Sequence, residues 1–290
     1  MSAGEGLDLP QVTSTANPRV KRAAALRRRR DRDTQDRYLV EGPRYVADLL
    51  DSGHLEEIYA VDAAARELQE GASRAGVELT VVTDEVLRRL ADSATPQGVV
   101  AVARQRHHTL SDVTGRGFLV VLAEVSDPGN VGAIVRTSVA AGASGLVLTT
   151  GSADPWNPKA VRAAAGAVAR LPVVVGPSPA EVVDACRSAG QRTVGLDADA
   201  GVTIGEPGLL SPPVAVIFGS EAHGLPPDLL ATLDTTAAIP RYGPVESLNL
   251  AAAVAVTVYA AAAAARTEGA PVGMRAGDRR PPAPEAGGTR

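Results

Sequence analysis

The chain has 290 residues, a formal net charge of -4 and a single cysteine, Cys186. Its length suits one large domain or two smaller ones, and one cysteine excludes both an intrachain disulfide framework and a zinc site built from several cysteines. The net charge gives no global reason to expect nucleic acid or membranes as partners, so an electrostatic interaction has to come from a local cluster.

The N-terminal region begins with a segment that has no apolar periodicity. Residues 1–16 contain Gly, Ser and Pro, and we predict a disordered terminus there. A helix is predicted over residues 18–32, because Asn17 can cap it and Pro18 can occupy its first turn. For an isolated helix, a solvated charged face is the simpler interpretation of its many basic residues. They include Arg19, Lys21, Arg22, Arg27, Arg28, Arg29 and Arg30.

Short apolar strands and helices alternate over the rest of the N-terminal part. Such alternation predicts a small α/β unit over residues 17–106. The polar, glycine-containing segment 107–117 is the predicted linker. The neighbouring residues His107 and His108 have no third ligand at a suitable spacing, so no metal site is predicted there. The predicted strands are residues 37–41, 55–61, 77–83 and 99–103, and the predicted helices are residues 43–52, 63–75 and 84–91.

From Phe118 onward the strands become more apolar. Near-continuous apolar runs favour parallel strands that are covered by helices on both faces, so we predict a second α/β domain over residues 118–266. Residues 267–290 are rich in Gly, Pro, Arg and Glu, and a disordered tail is predicted. The predicted strands are residues 118–125, 145–149, 172–175, 193–196 and 214–218; helices are expected to begin near Val131, Pro158, Pro179 and Pro226, with a last one over residues 248–265.

The sequence also predicts where the protein resides. No apolar core of a secretory signal follows Met1, and the Ala-rich residues 250–265 are fewer than the about 20 that a bilayer span needs. Cys186 lies among apolar residues, which favours a buried structural thiol over a reactive one. We therefore expect a cytoplasmic protein without a membrane partner.

Polar side chains gather where predicted strands of the second domain end. Asn130 and Arg136 follow the first strand, Glu221 follows the strand that ends at Phe218, and Ser247 and Asn249 begin the last helix. Each one alone has an ordinary explanation as a helix cap or turn residue. Their occurrence at three junctions indicates a ligand site, because α/β proteins bind ligands at the carboxyl ends of strands.

Glycines accompany these polar residues. The chain has no Gly-x-Gly-x-x-Gly after the first strand of this domain and no Walker sequence, which disfavours an ordinary dinucleotide or nucleoside triphosphate fold. Gly219, Gly224 and Gly243 lie instead in loops after two later strands. Exposed backbone N–H groups in such loops suit an adenosine-like ligand, although plain tight turns would use the same glycines.

Three motifs resemble the signatures of the SpoU (TrmH-type) RNA 2′-O-ribose methyltransferases, in the order of that family. They are Asp127-Pro128-Gly129-Asn130 with Arg136, then Gly219-Ser220-Glu221-Ala222-His223-Gly224-Leu225, then Ile239-Pro240 with Ser247-Leu248-Asn249. Residues 155–172 and 95–99 resemble further family segments, so the similarity covers residues 17–265. The sequence departs from the family pattern at two places: at Ala164, where Ser is common, and at Arg241-Tyr242, where Met is frequent.

The resemblance implies a fold and an activity. The fold is an α/β parallel-sheet catalytic domain with a trefoil knot near its C-terminus, an exception to the usual absence of knots, preceded by a small α/β RNA-recognition domain. The activity is transfer of a methyl group from S-adenosylmethionine to a ribose 2′-hydroxyl, with 23S rRNA preferred over tRNA as the substrate. A homodimer with its active site near the subunit interface is also implied. Beside such a domain, RNA becomes the favoured partner of the basic N-terminal helix.

The resemblance also implies roles for single residues. For Arg136 it implies proton abstraction, but arginine stays protonated in nearly all proteins, and binding of the neighbouring phosphate is an alternative. The catalytic residues would be Arg136, Asn130, Glu221, Asn249 and Ser247. The cofactor would be held by Thr149, Gly151, Phe218, Gly219, Glu221, Gly224, Ile239, Pro240, Gly243, Ser247 and Leu248.

Two other functions remain open at this point. One is a non-catalytic RNA-binding protein that keeps the knotted cofactor fold, and the other is an enzyme that acts on small nucleotides. Full biological effect after removal of Arg136 would favour the first. Activity without RNA would favour the second.

Overall fold

Two β-sheets organise the protein in the computed structural model, which describes residues 11–244 and 247–267. The first sheet has five strands in the order β1-β4-β3-β5-β2. It is mixed, because β2 and β3 run antiparallel to β5 while β4 runs parallel to β3 and β1. Its strands are β1 (Gln11–Val12), β2 (Arg37–Glu41), β3 (Leu55–Ala60), β4 (Glu78–Val82) and β5 (Val99–Arg104).

Helices connect the strands of the first sheet, and they confirm the predicted alternation. Thr83 caps the last of them by accepting a hydrogen bond from the Val86 N–H at 3.4 Å. The helices are α1 (Pro18–Ala25), α2 (Arg29–Gln35), α3 (Pro43–Leu49), α4 (Asp62–Ala75) and α5 (Asp84–Leu90).

The start of the chain differs from the prediction in two respects. Gln11–Val12 pair with β4 as a short edge strand, so the predicted disorder of residues 1–16 is wrong for this part; residues 1–10 lie outside the described residues. The single basic helix over residues 18–32 is also wrong, because the backbone of Arg28 is extended and separates α1 from α2. The side chain of Arg32 stabilises this break by donating to the carbonyl oxygens of Leu26 and Arg27, both at 3.0 Å.

The second sheet is parallel throughout, as predicted, and has six strands in the order β11-β9-β10-β6-β7-β8. The first strand ends at Leu122 rather than residue 125, because the chain turns at Glu124, which has a positive φ of 58°. The edge strand β11 was not predicted. The strands are β6 (Phe118–Leu122), β7 (Gly145–Leu148), β8 (Val173–Val175), β9 (Arg192–Leu196), β10 (Val214–Phe218) and β11 (Thr235–Ala237).

Helices cover this sheet and also occupy part of the predicted linker. The linker contains a one-turn helix that a reciprocal Thr109–Asp112 capping box starts. Among the helices of this sheet, a Cβ added at Gly132 of α7 would lie 2.2 Å from the carbonyl oxygen of Ala160 in α8, so the two helices need glycine at this contact. The helices are α6 (Leu110–Val113), α7 (Pro128–Ala141), α8 (Pro158–Ala164), α9 (Pro179–Ser188), α10 (Pro227–Leu230) and α11 (Leu250–Thr267).

Helix α11 is more apolar than the sequence prediction assumed. Its 18 residues have a mean hydropathy of 1.5, so by length and composition alone it is sufficient to cross a membrane. Core helices of soluble proteins meet the same criteria. In α11, Val254 and Val258 are fully buried, and the helix packs on α7 and β6. The predicted tail lies outside the described residues from residue 268 onward.

The two sheets are joined by a shared hydrophobic cluster and by a buried ion pair. Tyr38 of β2 and Val161 of α8 belong to one cluster of buried residues. Arg32 donates to one carboxylate oxygen of Asp154 through Nε at 3.0 Å and Nη2 at 2.5 Å. Both side chains are at least nine-tenths buried. The division into domains at residues 107–117 stays a prediction.

Candidate functional site

A cleft lies where successive strands of the parallel sheet end. The segments that follow β9 and β10, together with the chain between β11 and α11, enclose a volume of about 540 Å³. The carboxyl ends of neighbouring parallel strands lie at one edge of the sheet, where α/β proteins bind ligands. The lining residues are Leu196, Asp197, Ala198, Phe218, Gly219, Ser220, Glu221, His223, Gly224, Leu225, Ile239, Arg241, Ser247, Leu248, Asn249, Leu250 and Ala253.

The loop after β10 is closed by its own backbone. Ser220 and Gly224 exchange two backbone hydrogen bonds, of 3.2 and 2.9 Å. Gly224 has a positive φ of 65°, and a Cβ at Gly219 would lie 2.0 Å from the carbonyl carbon of Gly224. Both glycines are therefore required by the turn itself. The turn in its tight form brings Glu221 to the cleft.

The first motif starts helix α7. The Asp127 carboxylate caps it by accepting from the Gly129 N–H at 2.9 Å, and it also accepts from Lys159 Nζ of α8 at 2.7 Å. The Lys159 ammonium and the Gly129 N–H hold the pKa of the Asp127 carboxyl below its usual range. This charged cap fixes the N-terminal turn of α7, which carries Asn130.

A single hydrogen bond joins the first and second motifs. Asn130 Nδ2 donates to Glu221 Oε1 at 2.7 Å, although the two residues are 91 positions apart in the chain. An amide donor placed on a carboxylate fixes the direction of that carboxylate at the rim of the cleft.

The third motif starts helix α11. Asn249 Oδ1 accepts from the N–H groups of Ala251 at 2.9 Å and Ala252 at 3.4 Å, so Asn249, rather than Ser247, caps this helix. Both residues line the cleft together with Leu248. The cap therefore fixes one wall of the cleft.

Arg136 is placed differently from the other predicted catalytic residues. Its side chain is exposed on α7 and does not line the cleft. The guanidinium has no hydrogen-bonding or ionic partner among the described residues. Asn130 and Glu221, the two predicted catalytic residues of the first two motifs, bind each other and do not contact the Arg136 guanidinium. The structure thus brings Glu221, Ser247 and Asn249 together in the cleft, places Asn130 at its rim, and leaves Arg136 outside it.

Most of the predicted cofactor residues lie in the cleft, with four exceptions. Pro240 and Gly243 belong to the cleft-forming chain but do not line it. Thr149 and Gly151 follow β7, which is separated from β10 by β6. Thr149 is buried, and its hydroxyl accepts from the Glu124 N–H at 3.2 Å. The lining residues among those predicted are Phe218, Gly219, Glu221, Gly224, Ile239, Ser247 and Leu248.

Sequence reasoning missed the contribution of the segment after β9. Leu196, Asp197 and Ala198 line the cleft, and Arg241 Nη2 donates to the Ala198 carbonyl oxygen at 3.2 Å. This contact bridges two of the loops that form the cleft. The available signal was Asp197, an acidic residue that follows an apolar strand. The same pattern, with two residues in between, identified Glu221.

The seven basic residues predicted to bind RNA, which lie in α1, in α2 and between them, divide into two groups. Arg19 pairs with Glu78 at 2.5 Å, and Arg27, Arg28 and Arg29 each lie within 4 Å of a carboxylate. The exposed residues Lys21, Arg22 and Arg30 have no ionic partner in the part of the chain that the structure describes. These three are the most available for an external anion.

His107 and His108, the neighbouring histidines at which no metal site is predicted, follow strand β5. His107 lies 2.8 Å from Asp36 Oδ1 and contacts the ring of Trp156 edge-on. Within residues 11–244 and 247–267, no three His, Cys, Asp or Glu side chains cluster as metal ligands would. His107 therefore takes part in side-chain contacts with Asp36 and Trp156.

Comparisons with known proteins give matches over most of the chain. The family described as "SpoU rRNA Methylase family" matches residues 117–259, and the "MRM3-like substrate binding domain" matches residues 17–101. The chain is 32% identical over 252 residues to the 23S rRNA (guanosine(2553)-2′-O)-methyltransferase RlmP of Bacillus subtilis, which covers 87% of this chain and 98% of that protein.

Solved structures of methyltransferases also match most of the chain. An AdoMet-bound rRNA methyltransferase from Sinorhizobium meliloti has 31% sequence identity and a TM-score of 0.79, over 89% of this chain and 98% of that one. The SpoU methyltransferase AviRb from Streptomyces viridochromogenes, in complex with AdoMet, has 28% identity and a TM-score of 0.76, over 88% of this chain and all of that one.

Proposed function

Because the chain belongs to the SpoU rRNA methylase family, we propose that it transfers the methyl group of S-adenosylmethionine to a ribose 2′-hydroxyl of RNA. The observation that carries this proposal is the meeting of the family motifs at one cleft. Glu221 of the second motif and Asn249 of the third line it, and Asn130 of the first reaches it through Glu221.

The cleft fits the cofactor in size and in charge. Its volume of about 540 Å³ lies within the range of about 300–1,000 Å³ that is usual for sites of such molecules. The loops after β9 and β10 place the carboxylates of Asp197 and Glu221 in the lining, where they suit a ligand that carries sulfonium and ammonium charges. The cleft residues 196–198, 218–225, 239–241 and 247–250 would hold it.

The bound cofactor supplies a methyl group that its sulfonium charge already activates. The chain's own residues have to align the ribose hydroxyl and assist the loss of its proton. Glu221 lines the cleft with one carboxylate oxygen fixed by Asn130, which leaves the other oxygen available to position a polar group. Arg136, exposed and without a described partner, is suited to bind the RNA phosphate next to the target ribose.

The proposed RNA is 23S rRNA. The Bacillus subtilis relative, whose length the chain covers almost completely, is named for that RNA. The N-terminal unit, which matches a substrate-binding family, would recognise the RNA. Its exposed Lys21, Arg22 and Arg30 contribute positive charge for phosphate contacts. We also propose a cytoplasmic location, which an rRNA substrate would support.

The proposal extends to the knot and to a homodimer. After β11 at one edge of the sheet, the chain returns to the middle as α11, which packs on β6 and α7. This return past the cleft loops supports a trefoil knot. Val256 and Tyr259, which are about half exposed on α11, support an apolar contact with a second copy.

Labelled methyl transfer from S-adenosylmethionine to unmodified 23S rRNA and to bulk tRNA tests the proposal. Modified nucleotides are mapped as gaps in an alkaline hydrolysis ladder, because a 2′-O-methyl group blocks cleavage. We expect a gap in 23S rRNA, and we expect Arg136→Ala to lower the rate of methyl transfer by about 100-fold, because the ribose hydroxyl would no longer be positioned. Cofactor affinity, measured by calorimetry, should stay unchanged, since Arg136 does not line the cleft.

The matched control is Arg187→Ala, another exposed arginine on a helix of the same sheet, which should retain full activity. A gap only in tRNA would move the substrate to tRNA. Cofactor binding without transfer to either RNA would favour the alternative of a non-catalytic RNA-binding protein.

A further inference from the structure

A second, smaller pocket lies where the two sheets meet, away from the cofactor cleft. It encloses about 170 Å³. Arg104, Arg106 and His108 reach it from the end of β5 and the residues that follow, while Arg170 reaches it from the chain that leads into β8. Because β8 is the edge strand opposite β11, this pocket and the cleft lie at different ends of the sheet.

The lining of this junction pocket carries positive charge without a carboxylate among its members. Arg104 is paired with Glu56, which Arg37 shares. Arg170 reaches Asp48 only at 4.0 Å. Of the three arginines in the lining, Arg104 and Arg170 each have one carboxylate within 4 Å, whereas Arg106 has none among the described residues.

Arg106 is exposed, and its side chain has no ionic partner in the described part of the chain. His108 is half-buried and interacts electrostatically with Asp112. The buried His54 also lines the pocket, and its pKa is lowered first by burial and then by the charge of Arg106. Such a concentration of cations around a concave site attracts an anion from solution.

The size of the pocket limits which anion it can take. At about 170 Å³ it is smaller than the about 300 Å³ at which drug-sized ligand sites begin, so a whole nucleotide does not fit, whereas one tetrahedral oxyanion does. Guanidinium groups bind such oxyanions through charge-assisted hydrogen bonds.

The pocket also lies next to the basic helix α2. Trp156 lines it. The backbone N–H of Trp156 donates to the carboxylate of Asp154, which is the partner of Arg32 in α2. Helix α2 is therefore connected to the pocket through the contacts of Arg32, Asp154 and Trp156.

We propose that the junction pocket binds a phosphate group of the RNA substrate through Arg106 and Arg170, at a distance from the cofactor cleft. This inference rests on the proposed function, which supplies the RNA. Because the cations come from both sheets, a bound phosphate would fix the RNA to both parts of the protein at once. The pocket adds affinity and does not take part in methyl transfer.

The test is filter binding of an unmodified 23S rRNA transcript, without S-adenosylmethionine, at a series of KCl concentrations. In Arg106→Ala/Arg170→Ala, the slope of log K against log salt should fall by about 0.7–0.9, the contribution of one phosphate contact. The dissociation constant at low salt should rise roughly tenfold. The charge-retaining pair Arg106→Lys/Arg170→Lys should keep most of the slope, and Arg187→Ala should keep all of it.

Several outcomes would contradict the proposal, and they can be told apart. An unchanged salt slope and affinity in the double alanine variant, with a native thermal unfolding curve, overturns it. Inorganic phosphate that shifts the ring resonances of His54 while the RNA slope stays unchanged would assign the pocket to free phosphate. If the wild-type protein binds RNA but transfers no methyl group, the proposed function fails while the slope still reports on the pocket.

Discussion

Cys186 shows, at the scale of single residues, how burial determines chemical reactivity. The thiol is completely buried, and burial, followed by the negative charge of Asp234, raises its pKa to about 11. Only the thiolate is a strong nucleophile. The sequence prediction of a buried thiol is confirmed.

We expect Cys186 not to react with Ellman's reagent at pH 8 in the folded protein, and to react fully in guanidinium chloride. The absorbance of the released thiolate measures both reactions. Because the folded pKa lies above the unfolded value, the contribution of this thiol to stability is lost as pH rises from about 8.5 toward 11. Fast stoichiometric reaction of the native protein would contradict the prediction.

The sequence could identify the residues of the cleft better than their arrangement. The motifs named Glu221 and Asn249, and both line the cleft. They also suggested Thr149, which lies beyond β6, and they omitted Asp197. Which strand ends are neighbours depends on the order of strands in the sheet, and long-range pairing determines that order.

The start of helix α7 is the clearest example at the scale of elements. Asp127 caps the helix and binds Lys159, so one carboxylate holds α7 and α8 together. The close approach at Gly132 lies one turn further along the same helix. Capping residues of this kind typically contribute about 1 kcal/mol.

We expect Asp127→Ala to lower the free energy of unfolding by about 1 kcal/mol, or the unfolding temperature by about 2–4 °C. The pKa of Asp127 is lowered in the folded protein. Its contribution is therefore present above the usual carboxyl range near pH 4 and is lost as pH falls through the folded pKa.

Thermal unfolding followed at pH 7 and pH 3 measures this effect. The unfolding temperatures of the wild-type protein and Asp127→Ala should differ less at pH 3 than at pH 7. Asp127→Asn is the control, because asparagine caps a helix equally well but cannot form the ion pair with Lys159. An equal loss in both variants at pH 7 would assign the effect to the ion pair instead of the cap.

Other elements show where local sequence patterns are not sufficient to predict the helices and strands. The alternation of strands and helices was predictable because their apolar periods are strong. The break between α1 and α2 was not, since it depends on Arg32, whose guanidinium binds the carbonyl oxygens of Leu26 and Arg27. The edge strand β11 has only three residues, Thr235–Ala237, and too little apolar character to be recognised.

At the scale of the whole molecule, the Arg32–Asp154 pair connects the two sheets. Breaking a buried ion pair by removing one partner typically costs about 3–5 kcal/mol, because the other charge stays buried without a partner. We therefore expect Arg32→Met to destabilise the protein by about that amount, measured by urea unfolding.

Arg162→Met is the comparison, because its pair with Asp92 also joins the two parts but is partly exposed; it should cost about 1 kcal/mol or less. Replacing Arg32 and Asp154 together by apolar residues should recover part of the loss. Equal effects of Arg32→Met and Arg162→Met would show that burial does not determine the strength of this connection.

The assembly of the molecule can be tested at helix α11. Val256 and Tyr259 are half exposed on it, while Val254 and Val258 are fully buried against the rest of the chain. If the proposed homodimer forms through this face, we expect Tyr259→Glu to give a monomer, because a carboxylate would be buried without a partner in the interface. Light scattering after size-exclusion chromatography measures the mass. Thr267→Glu, at the exposed end of the same helix, should leave it unchanged.

The pairing of β6 with β10 has a consequence for synthesis on the ribosome. Phe118 lies opposite Val214, so 96 residues, 214 minus 118, separate the two strands at the centre of the sheet. At roughly 5–20 residues per second, translation needs about 5–20 s to produce the second strand after the first. During that interval one edge of the fully apolar β6 has no neighbour, and open apolar edges invite aggregation. Binding of β6 by chaperones on the growing chain would therefore precede any contact with the finished protein's own substrate.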